Sequence, residues 1–132
     1  MDNLELLLEE RFISIYYDKD NCWIYANWNG DQTKESVIYG CERMLTFLKE
    51  YNCQKILNDN TEVTSNWSDA AEWVANEWFP RMSDAGLRYF AWVYATNSAS
   101  KQATDKTLAQ AKSSIAITFD DKATAETWLR SV

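Results

Sequence analysis

Short polar side chains that could contact a ligand are concentrated in one stretch of the chain, residues 58–68. This stretch follows the end of a predicted strand and precedes a predicted helix that starts at about Ser68. In open α/β sheets, ligands bind at the carboxyl ends of strands, and helix N-termini attract anions. The sequence therefore predicts a binding surface that includes Asp59, Asn60 and Thr61. The alternative is that these side chains only shape turns and cap the helix, which the same residue types also do.

Large aromatic side chains are frequent, with seven tryptophans and seven tyrosines. Trp67, Trp73 and Trp78 flank the polar stretch or the helix that follows it. Aromatic side chains often line ligand pockets and interface hot spots, so they predict an aromatic-lined groove near Asn60, with Phe79 as a further member. Trp73 and Trp78 also lie on the apolar side of the predicted helix, so burial in the core is the alternative.

The block Glu77-Trp-Phe-Pro-Arg81 contains the only proline of the chain. Glu77 and Arg81 are four positions apart, which is the spacing of a helical ion pair. Pro80 has no N–H group, so it is expected to kink or split the helix and to turn Phe79 outward, toward a groove or a partner. The alternative is an ordinary surface pair beside a helix bend.

The residue inventory argues against the common catalytic and metal schemes. No histidine is present, which excludes a Ser-His-Asp triad, a Cys-His dyad and a histidine-ligated zinc. Cys22, Cys41 and Cys53 are odd in number and form no CxxC pair, so we expect reduced, mostly buried thiols. We predict a protein that is not an enzyme and uses no cofactor or metal. A hydrolase-like activity of Asp59 is the remaining enzymatic alternative.

The net charge is −7, from 20 acidic and 13 basic residues. An acidic surface repels phosphate backbones and acidic membranes, so we expect no nucleic-acid partner and no binding to a membrane surface. No apolar run is long enough to span a membrane, and acidic residues interrupt the N-terminal segment where a signal peptide would be apolar. Together with reduced cysteines, these features predict a cytoplasmic protein.

Alternating strands and helices must position these residues. The segments 11–18 and 22–29 are rich in β-branched and aromatic residues, and a short polar turn joins them, which predicts an antiparallel hairpin. Apolar residues at helical spacing then predict a helix over 33–51, in which Gly40 allows close packing against the sheet. The segment 4–9 fits either a short strand or a helical turn.

The rest of the chain continues the alternation. The predicted elements are a strand at 55–60, a helix over 68–86, a buried strand at 88–95, a weak helix at 100–112, a strand at 114–119 and a final helix capped by Asp120 or Asp121. The order is β-β-α-β-α-β-α-β-α in one domain, residues 1–132. It predicts an α/β fold in two or three layers, with a mostly parallel sheet and an antiparallel N-terminal strand.

Four stretches of the sequence also resemble a known family. They are Ile13-Ser-Ile-Tyr-Tyr-Asp leading to Trp28-Asn-Gly, Ile56-Leu-Asn-Asp-Asn, Asn76-Glu-Trp-Phe-Pro-Arg-Met, and the ending from Ile117 to Leu129. With the order of elements, they resemble the SpoIIAA-like superfamily, which includes STAS and CRAL-TRIO domains, and most of all its small single-domain bacterial members. The resemblance implies a SpoIIAA-like fold and a non-enzymatic binding or regulatory module. Such a module acts through protein contacts, with another protein or as a homodimer.

The resemblance also implies two possible modes of action. Anti-sigma-factor antagonists of the STAS group are switched by phosphorylation of a serine after the third strand. The matching region here contains Ser65 and Ser68, with Asn66 and Trp67 in place of the family's Ser-Gly surroundings. CRAL-TRIO domains bind lipids in an apolar groove. The alternative function is therefore a small-molecule or lipid-binding protein that uses the 58–68 loop and the 73–82 helix.

Overall fold

Six strands form one mixed sheet in the computed structural model, which describes residues 3–112 and 115–132. In chain order they are β1 (Leu4–Glu10), β2 (Ile13–Asp18), β3 (Trp23–Gly30), β4 (Lys55–Val63), β5 (Tyr89–Val93) and β6 (Ala116–Phe119). They lie side by side in the same order. The pairs β1–β2 and β2–β3 are antiparallel, and β3 to β6 are parallel. The predicted α/β class is confirmed. Asp2 and Ser114, the first residue of the predicted last strand, lie outside the described residues.

Three helical segments connect the parallel strands, namely α1 (Lys34–Glu50), a helical segment over 68–84 and α4 (Ser98–Gln110). A further helix, α5 (Lys122–Ser131), follows β6. The 68–84 segment, called here the interrupted helix, consists of a 3₁₀ turn (Ser68–Ala70), α2 (Ala71–Trp73), a π-helical turn (Val74–Trp78) and α3 (Phe79–Asp84). No helix in the described part of the chain is long and apolar enough to cross a membrane.

The helices begin at polar caps. The Thr33 hydroxyl accepts the backbone N–H of Ser36 at 3.1 Å, and the Ser36 hydroxyl accepts the N–H of Thr33 at 3.0 Å. This capping box satisfies two donors that the helix itself leaves unpaired. Asn97 and Asp121 cap α4 and α5 in a similar way, since each accepts the backbone N–H three residues later. Of the two aspartates predicted as the final cap, the structure uses Asp121.

The two faces of the sheet are covered by different helices. The parallel strands β3 to β6 lie side by side in chain order, and right-handed crossovers are the rule for such connections. They place α1, the interrupted helix and α4 on one face of the sheet. The larger core lies there and includes Met44 of α1 and Met82 of α3. On the opposite face, Leu129 of α5 joins Trp23 and Leu57 in a second buried cluster. The fold therefore has three layers.

Two segments of the sheet differ from the sequence interpretation. The ambiguous N-terminal segment is a strand, β1, and it lies at the edge of the sheet. The strand predicted to end at Asn60 continues to Val63, so the prediction that the loop begins at Thr61 is wrong. A bulge lies in this extension, because Asn27 of β3 pairs with Asp59 whereas Asn29 pairs with Glu62. The polar residues at 58–60 are buried inside the sheet.

The predicted close packing at Gly40 is present. A Cβ atom at this position would overlap the indole ring of Trp28 and would lie 3.0 Å from the Ile13 Cδ1 atom. Only a residue without a side chain lets α1 come this near to β2 and β3.

Candidate functional site

A small internal cavity lies near the carboxyl ends of β3, β4 and β5, between the sheet and the helices. Its volume is about 30 Å³, and no lining residue is more than 6% exposed. This volume is about the share of one water molecule in the liquid, far below that of a pocket for an organic ligand. Its walls include four tryptophans and three amides, namely Trp28, Trp67, Trp78, Trp92, Gln32, Asn58 and Asn60.

The amides of β4 form a hydrogen-bonded chain beside the cavity. The Trp28 indole N–H donates to Asn58 Oδ1 at 2.9 Å, and Asn58 Nδ2 donates to Asn60 Oδ1 at 3.2 Å. Burying an amide costs free energy unless it is hydrogen-bonded, and this chain compensates for most of that cost.

Two of the tryptophans predicted to line a groove do line this cavity, and both are buried. Trp67 donates to the Ser100 hydroxyl at 3.3 Å, and Trp78 donates to the Cys41 carbonyl oxygen at 2.8 Å. Trp67 also stacks on Trp92, with ring centroids 6.1 Å apart. Their indole groups therefore serve as packing and as fixed links between elements.

Trp92 is different from the other tryptophans at the cavity. It is buried, and its indole N–H has no hydrogen-bond partner within residues 3–112 and 115–132. It therefore gives the cavity wall one unpaired donor. A molecule that carries an acceptor oxygen, water in the first instance, would satisfy it.

The π-helical turn explains how Pro80 is accommodated. Proline has no N–H group and its ring clashes with the carbonyl group four residues earlier, so a regular α-helix cannot pass through it. The chain widens to a π-helical turn before Pro80, in which the N–H of Phe79 bonds to the carbonyl oxygen of Val74. Phe79 is only 1% exposed and packs 5.4 Å from the ring of Phe90. The prediction that Phe79 turns outward is therefore wrong.

The predicted ion pair of Arg81 is also wrong. Its guanidinium group donates to both carboxylate oxygens of Glu42 on α1, at 2.8 and 2.7 Å, and not to Glu77. The hydrogen bonds and the positive charge of Arg81 lower the pKa of Glu42 below its ordinary value. The pair lies at the surface and joins α3 to α1.

Trp73 is partly buried and packs against the main core.

Asp59 lies on the opposite face of β4 from Asn60. Its carboxylate accepts the backbone N–H of Thr61 at 3.0 Å, accepts the Thr61 hydroxyl, and accepts the Tyr25 hydroxyl at 3.4 Å. Burial, and then the nearby charge of Asp59, raise the pKa of Tyr25 well above its ordinary value. The contacts with Thr61 form a local turn of the kind that aspartate favours, and they help to hold the bulge of β4. The structure therefore separates Asp59 from the cavity.

The two candidate phosphorylation sites differ in their contacts. The Ser65 hydroxyl accepts the backbone N–H of Gln32 at 2.8 Å and donates to the Gln32 carbonyl oxygen at 3.1 Å. Ser68 is partly exposed, and its backbone N–H donates to the Asn66 side chain at 2.7 Å. Trp67 is the N-cap of the interrupted helix and makes no side-chain capping hydrogen bond, and Ser68 is the first helical residue, so the assignment of the capping role to Ser68 is wrong.

The cysteines show no sign of an activated thiol. Burial raises the pKa of Cys41 well above its ordinary value and raises that of Cys53 to about 11. Cys22 is exposed. Within the described ranges, no group of three or more carboxylate or thiol side chains is placed to hold a metal ion.

Sequence reasoning missed Gln32, which is buried two residues after the end of β3. Its side chain donates to the carbonyl oxygens of Phe12 and Asn29 at 3.1 and 3.2 Å and accepts the Ser36 hydroxyl at 2.7 Å. A glutamine that follows a glycine and an aspartate is typical of an exposed turn. The sequence therefore gives no indication that the Gln32 side chain is buried and hydrogen-bonded. That Trp92 faces the same core as Phe90 could have been predicted, because the two residues lie two positions apart on a buried strand.

Comparisons of the chain with protein-family models, with curated proteins and with solved structures give no match.

Proposed function

We propose that this chain is a non-enzymatic protein-binding module with a SpoIIAA-like fold, and that the edge strand β1 is its contact surface. Within the described ranges, β1 pairs only with β2, so the backbone N–H and C=O groups on its outer side are unpaired. Such an edge binds extended segments of other chains by strand addition. The order of strands and helices from β2 onward is the one on which the family resemblance rests.

Exposed leucines on β1 carry this proposal. Leu4 is 36% exposed, and Leu6 is 50% exposed, the largest fraction among the large apolar side chains that the structure describes. Leu6 pairs with Tyr16 of β2, and Tyr16 stacks on Tyr25 of β3 at 5.5 Å. Helix α5 packs mainly over β4, β5 and β6 on this face, so it leaves the leucines uncovered. An apolar strip beside an open strand edge is typical of a contact surface.

The test compares the two edges of the sheet. The full chain is used to select binders from a displayed library of random peptides, and the selected peptides are measured against two variants. Leu6→Ser removes the apolar contact at β1, and Ile117→Ser is its matched control, since Ile117 is 43% exposed on β6 at the other edge. We expect Leu6→Ser to weaken binding about tenfold or more and Ile117→Ser to change it little. No enrichment, or equal losses in the two variants, contradicts the proposal.

A second candidate function is the binding of a small molecule or lipid at the internal cavity. It is supported by the indole N–H of Trp92, a buried donor of the cavity wall that has no described acceptor. Since the cavity is about the size of one water molecule, a ligand would have to displace side chains. Native mass spectrometry tests this by comparing protein purified without denaturant with protein refolded from urea. A bound mass that refolding removes, and that a Trp92→Phe variant does not retain, supports it, whereas identical spectra contradict it.

A further inference from the structure

We infer that the partner of β1 is a basic, extended segment of another protein rather than a second copy of this chain, an inference that rests on the proposed role of β1 as a contact surface. The strand has the sequence Leu-Glu-Leu-Leu-Leu-Glu-Glu, with three carboxylates and no lysine or arginine. Cations occur only beyond its ends, at Arg11 in the following turn and at Lys19, whose backbone bonds to Asn3. Apolar and acidic groups therefore alternate along an open edge.

The three carboxylates of β1 are divided between the two faces of the sheet. Glu5 accepts the Tyr51 hydroxyl at 3.2 Å, and Glu10 accepts the Tyr39 hydroxyl at 3.1 Å, so α1 holds both on its own face. Glu9 is exposed and makes no hydrogen bond to any described residue. It pairs with Ser14 of β2, on the same face as the exposed leucines.

This arrangement defines the side chains that a partner strand needs. On the leucine face, apolar side chains would cover Leu4 and Leu6, and a lysine or arginine would lie near Glu9. On the α1 face, further cations would lie beside Glu5 and Glu10. Opposite charges across neighbouring strands stabilise the pairing, and the negative field of the protein speeds the approach of a cationic segment.

The same charges oppose self-pairing. Two copies that join the same edge across a two-fold axis must run antiparallel, and each copy brings three carboxylates and no cation from β1. Pairing would therefore place six carboxylates and no cation on two neighbouring strands, and like charges across neighbouring strands destabilise the pairing. The net charge of −7 on each copy adds repulsion at longer range.

Three labelled peptides of about ten residues, a usual strand length or slightly more, test the inference on the full-length protein. In the first, lysine alternates with valine. In the matched peptides, threonine or glutamate replaces each lysine. Fluorescence anisotropy is measured at about 20 mM and about 300 mM salt, where the screening lengths differ severalfold. We expect the lysine peptide to bind about tenfold more tightly than the threonine peptide at low salt, with a smaller ratio at high salt and no measurable binding of the glutamate peptide.

Charge-reversal variants locate the interaction. Glu9→Lys should weaken binding of the lysine peptide about tenfold. Glu62→Lys, at an exposed position of β4 away from the edge, should change it less than about twofold because nonspecific attraction alone is altered. Equal effects of the two variants would show that the peptide responds only to net charge and would overturn the inference.

The outcomes separate this inference from the function on which it rests. If the threonine peptide binds as well as the lysine peptide, and Leu6→Ser abolishes both, the contact surface stands and the basic partner is wrong. If the protein is a dimer at neutral pH and Leu6→Ser makes it monomeric, the occupant is a second copy. If none of the peptides binds, or if Leu6→Ser leaves their binding unchanged, the proposed function fails as well.

Discussion

At the scale of single residues, the buried indole groups differ in whether their N–H groups have partners. Trp28, Trp67 and Trp78 each donate to a named acceptor, and Trp92 has none among the described residues. Removing one partner of a buried hydrogen bond leaves the other unsatisfied, which costs more than the bond itself contributes. Substitutions that remove similar volume should therefore have different effects at these positions.

We expect Trp28→Phe to destabilise the protein by about 1–3 kcal/mol more than Trp92→Phe, because it leaves Asn58 Oδ1 buried without its donor. Trp92→Phe removes a donor that has no described acceptor. Urea unfolding of both variants, followed by circular dichroism, measures the difference. Equal losses would show that the N–H of Trp92 is also paired in solution, most simply with a water molecule in the cavity.

At the scale of elements, the position of α1 is fixed by contacts with β2, β3 and α3. Gly40 lets the helix approach Trp28, and the Glu42–Arg81 pair joins α1 to the interrupted helix. Only the first contact was predictable from the sequence, because a glycine within a helix indicates close packing. The partner of Arg81 was not predictable from the sequence, because Glu77, four positions away, carries the same charge as Glu42 on α1.

We expect Gly40→Ala to destabilise the protein by about 1–3 kcal/mol. Alanine is favoured over glycine within a helix by about 1 kcal/mol, but overlap of the new Cβ with Trp28 should outweigh this gain. Chemical unfolding checks the sign. In a Trp28→Phe background the same substitution should cost much less, because the indole ring is gone. A stabilising effect of Gly40→Ala in the unmodified chain would contradict the packing described.

We expect Glu42→Gln to lower the free energy of unfolding at pH 7 by no more than about 1 kcal/mol, because both partners are substantially exposed. The pKa of Glu42 is lower in the folded state than its ordinary 4.5, so the pair stabilises the protein above that pH. This stabilisation is lost as the pH falls through the folded-state pKa. Unfolding curves of the variant and of the unmodified chain should therefore differ at pH 7 and converge as the pH falls below the folded-state pKa. Glu77→Gln serves as the control and should have the smaller effect.

At the scale of the whole molecule, the α/β class followed from the alternation of strand-like and helix-like periods. The end of β4 did not, because the polar residues Asn60, Thr61 and Glu62 are typical of a loop. Asn58 and Asn60 are polar but buried. Their burial depends on Trp28, which is distant in sequence, and on a cavity that no local pattern indicates. Asn58, Asp59 and Asn60 of the candidate surface are buried in the sheet. Asp59 and Asn60 lie on opposite faces because side chains alternate along a strand, as the predicted strand at 55–60 already implied.

The edge strand and the overall charge together predict how the molecule associates as the pH changes. The calculated isoelectric point is about 4.5, so the net charge of −7 at pH 7 disappears as the carboxylates take up protons. Near that pH the repulsion that keeps two β1 edges apart is removed, while Leu4 and Leu6 remain exposed. We expect light scattering to show a monomer at pH 7 and association near pH 4.5. Leu6→Ser should reduce this association, and Ile117→Ser should not. Association that is equally strong in both variants would mean that loss of net charge is sufficient and that β1 has no special part in it.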